Sequence, residues 1–88
     1  MTGIEIAQRA KEQLVELTGL KADTVSGFDR QDNGWHVRVE LIELKRIPEA
    51  TDVLATYEGV LDDEGNLLSY QRIRRYLRQQ IMEEESSA

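Results

Sequence analysis

The stretch Asn33-Gly34-Trp35-His36-Val37-Arg38-Val39-Glu40-Leu41 decides how this chain folds. Trp35, Val37, Val39 and Leu41 alternate with His36, Arg38 and Glu40. Successive side chains of a strand point to opposite faces, so this is a strand half-buried on its Trp35 to Leu41 side. Asn33 and Gly34 both tolerate positive φ, which predicts a type I′ hairpin turn. Upstream of that turn, Val25 and Phe28 predict a short partner strand over Asp23 to Asp32, with Gly27 marking a bulge or a close backbone approach. Downstream the parity slips, because Ile42 and Leu44 are apolar around an acidic Glu43, and a bulge or strong twist is expected there.

Farther out, Pro48 has no amide donor and ends the pairing. Arg46 before it and Asp52 after it are placed to anchor the crossover as an ion pair. Val53, Ala55, Tyr57, Gly59 and Leu61 share one parity and predict a third strand. Asp62-Asp63-Glu64-Gly65-Asn66 is a turn, and a last strand starts at Leu67 and runs to about Tyr76, with helix or fraying beyond. The alternative for residues 71–82 is a helix with Ile73, Leu77 and Ile81 on one face. At the other end, Ile4, Ala7, Ala10, Leu14 and Leu17 form a helical stripe with Ile6 and Val15 at its margins. Thr2 and Glu5 have capping-box spacing, and Gly19 is the stop. The fold class predicted is α+β: an N-terminal amphipathic helix packed on a four-stranded antiparallel meander. It forms a single domain over residues 1–82, followed by a disordered acidic tail over 83–88.

Composition narrows the chemistry. Eighty-eight residues support one small core, and with no cysteine there are no disulfides, thiolate sites or cysteine nucleophiles. A reducing, cytoplasmic setting is expected. No run reaches the roughly 18–20 apolar residues of a membrane span, and Met1-Thr2-Gly3-Ile4-Glu5 lacks the order of a signal peptide, so neither insertion nor export is expected. The sole histidine, His36, reads as a solvent-facing strand residue. The Asp62 to Asn66 cluster is too short for a calcium loop, and the six glycines are dispersed rather than gathered into a phosphate loop. No catalytic, cofactor-binding or metal-binding residue is predicted, and the chain reads as a non-enzyme.

The departure from an ordinary surface is Tyr70-Gln71-Arg72-Ile73-Arg74-Arg75-Tyr76-Leu77-Arg78, four arginines and two tyrosines in a chain of net charge −6. As a strand it puts Arg72, Arg74, Tyr76 and Arg78 on one face. Arginine and tyrosine are enriched at protein interfaces, and arginine's planar fork suits carboxylates and phosphates. Tyr70, Arg72, Arg74, Arg75, Tyr76 and Arg78 are therefore the candidate partner-binding residues. Docking to an acidic protein surface, contact with nucleic acid, and internal pairing with Glu40, Glu43, Glu58 or Glu83 to Glu85 all remain open. The net charge disfavours nucleic acid. Trp35 and Tyr57 read as core.

Five segments in order, Trp35 to Glu40, Glu43 to Pro48, Asp52 to Glu58, Leu61 to Gly65 and Tyr70 to Tyr76, resemble the gas vesicle protein O family over residues 35–78. The resemblance implies a small accessory protein of gas vesicle assembly, associated with gas vesicles and partnered by other gas vesicle proteins. A regulatory role at the transcript level, using the arginine-rich strand on nucleic acid, is the alternative it carries. It supplies no catalytic residues; Trp35, Arg46, Pro48, Asp52, Tyr57 and Gly65 enter as fold-determining or interface positions. The last strand is expected at an open edge, where homodimerisation or strand addition can occur.

Overall fold

The computed structural model describes residues 1–80. Its helix α1 spans Gly3–Thr18. Four strands follow, β1 (Lys21–Gln31), β2 (Gly34–Leu44), β3 (Val53–Leu61) and β4 (Leu67–Leu77), with a short 3-10 turn at Glu49–Thr51. They lie side by side in the order β1-β2-β3-β4, every neighbouring pair antiparallel. This is the predicted α+β meander under one helix. Arg78 to Gln80 turn helical after β4, and the predicted tail over 83–88 lies outside the described residues.

The capping box forms as expected: Thr2 Oγ1 accepts the Glu5 amide at 3.2 Å, and Glu5 Oε1 faces the Thr2 amide at 3.5 Å. The buried stripe differs from the predicted one. Ile6, Ala7, Ala10 and Leu14 are buried, whereas Ile4 is 78% and Leu17 59% exposed. Periodicity allows either isoleucine to lead the stripe, but only the Ile6 side meets Val37, Val39, Leu41 and Leu61 on the sheet. Each large aliphatic side chain buried there contributes about 1.5–3 kcal/mol. Trp35 and Tyr57 pack partly buried against this core.

Several local expectations need correction. β1 is longer than Asp23 to Asp32, and its bulges fall at Asp23 and Ser26, the latter just before Gly27. The β1–β2 turn is not type I′, because neither Asp32 nor Asn33 has positive φ. Asp32 and Asn33 make the turn, and Gly34 opens β2 at φ 127°, where a Cβ would collide with the Leu61 carbonyl oxygen. The slip after Leu41 is a bulge at Glu43, as anticipated.

Pro48 and Asp52 bracket the crossover, but Arg46 does not pair with Asp52 through its guanidinium. Its backbone N–H donates to Asp52 Oδ1 at 2.7 Å, while Arg78 Nε at 3.4 Å and Lys45 Nζ at 3.8 Å face Oδ2. Asp52 is fully buried, so its carboxylate ties the crossover to the end of β4. At the other end of the sheet Gly65 turns at φ 84°. Gln13, which the sequence did not single out, clamps that turn by donating to the Gly65 carbonyl at 2.8 Å and accepting from the Leu67 amide at 3.0 Å.

Three turn and crossover carboxyls are held below the ordinary aspartate range. For Asp52 the Arg46 amide is the leading cause, for Asp62 the Asn66 amide, and for Asp63 the Arg30 side chain. A folded pKa below the unfolded value of about 3.9 adds stability above that pH, lost as pH falls through the folded value. Urea midpoints measured from neutral pH downward are expected to hold until about pH 4 and then drop. In Asp52→Asn the acid-side drop should be shallower; an unchanged slope would remove Asp52 from this account.

Candidate functional site

The face of the sheet opposite α1 is a concave groove of about 670 Å³. Bulged strands bend and twist more than regular ones, and β1, β2 and β4 all carry bulges. The resulting curl is measurable in contacts between strands that are not neighbours. Tyr76 on β4 reaches over β3 to donate its hydroxyl to Glu40 on β2 at 2.7 Å. Beyond β4, Arg78 Nη2 lies 3.3 Å from Asp23 Oδ1 on β1, so the two outer strands are clasped across the groove.

Glu40 forms the groove floor. On a period-2 reading it belongs to the outward, polar face, yet it is only 6% exposed. A buried carboxylate is tolerable only when its oxygens are satisfied. Here Oε1 accepts from Thr56 Oγ1 at 2.5 Å and from Tyr76, while Oε2 accepts from Ser26 Oγ at 2.6 Å. Burial, and then the bond to Glu40, push the Tyr76 phenol above its ordinary pKa. The one available clue to this cluster was register: Glu40 stands opposite Thr56.

The predicted shared face of Arg72, Arg74, Tyr76 and Arg78 is broken at Arg72. Ile73 is skipped in the β3–β4 pairing, so Arg72 stands opposite Tyr57 and Arg75 opposite Ala55, on the helix side. Arg74 and Tyr76 stand opposite Thr56 and Leu54, on the groove side. Arg72 and Arg75 share Glu43 at 3.2 and 3.0 Å, and Arg78 is held by Asp23 and Asp52. Tyr70 is 45% exposed and packs its ring 6.4 Å from that of Tyr57. Arg74 differs from the other three: its Nε donates to Thr56 Oγ1 at 3.3 Å and its guanidinium lies 4.7 Å above the Tyr76 ring. Among the described residues no carboxylate is within ion-pair reach of it.

His36 is not solvent-facing as expected. Its side chain is 13% exposed, with Nε2 2.7 Å from Asn33 Oδ1 and Nδ1 3.8 Å from Glu58. Asp62 closes its own turn, accepting from the Glu64 and Asn66 amides at 2.9 Å each.

Residues 1–82 match the family model described as gas vesicle synthesis protein GvpO. The chain belongs to this family. Gas vesicle protein O of Streptomyces sp. (strain CB03234) is 45% identical over 75 residues, covering 85% of this chain and 59% of that protein. Gas vesicle protein O of Haloferax mediterranei is 32% identical over 84 residues, 93% of this chain and 60% of that protein. The chain thus spans about three fifths of the length of these curated relatives. No solved structure matches it. Among the described residues of this GvpO-family chain, no helix is long and apolar enough to cross a membrane.

Proposed function

We propose that this chain acts in gas vesicle formation as a non-enzymatic accessory protein in the cytoplasm, working through contacts between β4 and other gas vesicle proteins. Family membership supports the role in gas vesicle formation. The contact reading rests on β4, an edge strand with Tyr70, Arg72, Arg74 and Arg75 at its surface. The Arg72 and Arg75 side chains are about half exposed and reach over Glu43 from the solvent side, so their guanidinium groups are open to a partner's carboxylates while still neutralising Glu43.

Pairing β4 with a second copy is less favourable on charge. It would set Arg72, Arg74 and Arg75 against the same residues, and like charges opposite one another destabilise a strand pair. A nucleic-acid regulator would need several free cations along one track, whereas three of the four arginines already hold carboxylates.

The test is complementation of a deletion strain of a vesicle-forming host, read by microscopy and light scattering, with capture of vesicle proteins from the same cells. The quadruple change of Arg72, Arg74, Arg75 and Arg78 to Glu, once shown to fold, is expected to abolish vesicles and release a specific partner. Normal vesicles with every partner retained would place the function elsewhere, first on the crossover from Glu40 to Asp52.

A further inference from the structure

We infer that the concave groove is a docking site for an acidic and apolar segment of a partner protein, with one carboxylate of that segment held by Arg74. The inference rests on the protein-contact reading above and narrows it from an arginine-rich strand to one residue and one face.

Charge in the groove is almost fully spent internally. Asp23 holds Arg78, Arg38 holds Glu58, and Glu40 is satisfied by three hydroxyls. Arg74 is the remainder. Its Nε is anchored on Thr56, its plane rests on the Tyr76 ring, and Tyr76 and Thr56 are themselves fixed by Glu40. Both Nη groups have no acceptor among the described residues. A guanidinium already held in place presents a two-pronged donor to a carboxylate without first losing side-chain freedom, which is the condition for a strong charged contact. The buried Glu40 thereby acquires a purpose: it positions the hydroxyls that position Arg74.

Two further observations choose the occupant. Beside Arg74 the groove is lined by Leu54 and by Ile73, which is 47% exposed although strand residues of its size are usually covered. An apolar side chain of the incoming segment fits there, next to the carboxylate. A run of phosphates does not, because of the three arginines that line the groove Arg38 and Arg78 already hold carboxylates, and among the described residues only Arg74 is left for an anion. The spacing of one cation beside one apolar patch matches a protein segment.

The experiment is an NMR titration of the labelled full chain with a short end-blocked peptide of alternating Leu and Glu. Expected are saturable shifts at Ser26, Thr56, Ile73 and the Arg74 Nε–H, at least about tenfold weaker when Gln replaces Glu in the peptide. Arg74→Gln should lose them and Arg72→Gln keep them, with each variant's amide spectrum checking its fold. Arg74→Lys preserves charge but not the planar fork; it should bind more weakly than the parent, and it decides the matter if Arg74→Gln does not fold. No shift, equal shifts with the Gln peptide, or shifts that follow Arg72 and Arg75 would overturn the proposal. Stronger Arg74-dependent shifts with a single-stranded RNA oligonucleotide would overturn the choice of partner. Any of these results, with vesicles still lost in the quadruple variant, would remove the groove and leave the accessory role standing.

Discussion

Leu14→Ala is expected to lower the unfolding free energy by about 3 kcal/mol, within the usual range for burying and then deleting a leucine. On a chain of this size that corresponds to a fall in Tm of roughly 12–24 °C. Leu14 is completely buried, under α1 and over the sheet. The backbone of β3 lets it come close at Gly59, where an added Cβ would lie 3.8 Å from Leu14 and only 2.9 Å from Leu67. A cavity at that point cannot be refilled by Gly59, which has no side chain to move. Ile4→Ala and Leu17→Ala serve as controls, since both residues are mostly exposed; each should change stability by no more than about 0.5 kcal/mol. Thermal melts of the three variants read the rotational setting of the helix. A large loss at Ile4 with little at Leu14 would mean that the stripe faces the other way.

The second large effect is expected at Glu40. Glu40→Ala strands three hydroxyls, of which Thr56 is itself buried, and should cost about 2–3 kcal/mol. Glu40→Gln keeps an acceptor for Thr56 and Tyr76 and turns a donor toward Ser26, whose oxygen can accept; about 1 kcal/mol is expected. Replacing Glu40 and Thr56 together by Leu and Val removes donor and acceptor at once, and should cost less than the sum of the single changes. Denaturant titration of the parent, Glu40→Leu, Thr56→Val and the double variant completes that cycle. Strict additivity would mean that the 2.5 Å contact between Thr56 and Glu40 contributes no coupling.

What the sequence showed and hid follows from where apolar residues are placed. In β2 one face is core, so the period of two from Trp35 to Leu41 is legible and even the bulge at Glu43 is announced by apolar residues changing parity. β4 is an edge strand with most of its residues exposed, and no apolar alternation exists to reveal that Ile73 is skipped. Strict alternation therefore sets Arg72 with Arg74, Tyr76 and Arg78, whereas the bulge moves it to the face of Arg75. The Glu40 cluster was hidden for a different reason. Alternation marks Glu40 as outward, and only the curl of the sheet, which depends on several bulges at once, turns that outward face into a floor. The identity of the arginine-rich strand was legible; which of its arginines is left free depends on Glu43, Asp23 and Asp52, three residues from distant parts of the chain.

Sheet order equals chain order, so each strand can pair with the one just before it. Loops that short close at low entropic cost, and assembly can proceed hairpin by hairpin from the first strands onward. The clasp between Asp23 and Arg78 joins positions 55 residues apart and needs every strand in place first. One wall of the groove, and Arg74 with it, is therefore supplied by the last strand of the sheet. A nascent or truncated chain ending before β4 can present a helix and a three-stranded sheet but not the closed groove. Whatever binds there reads not only this sequence but the fact that its folding has finished.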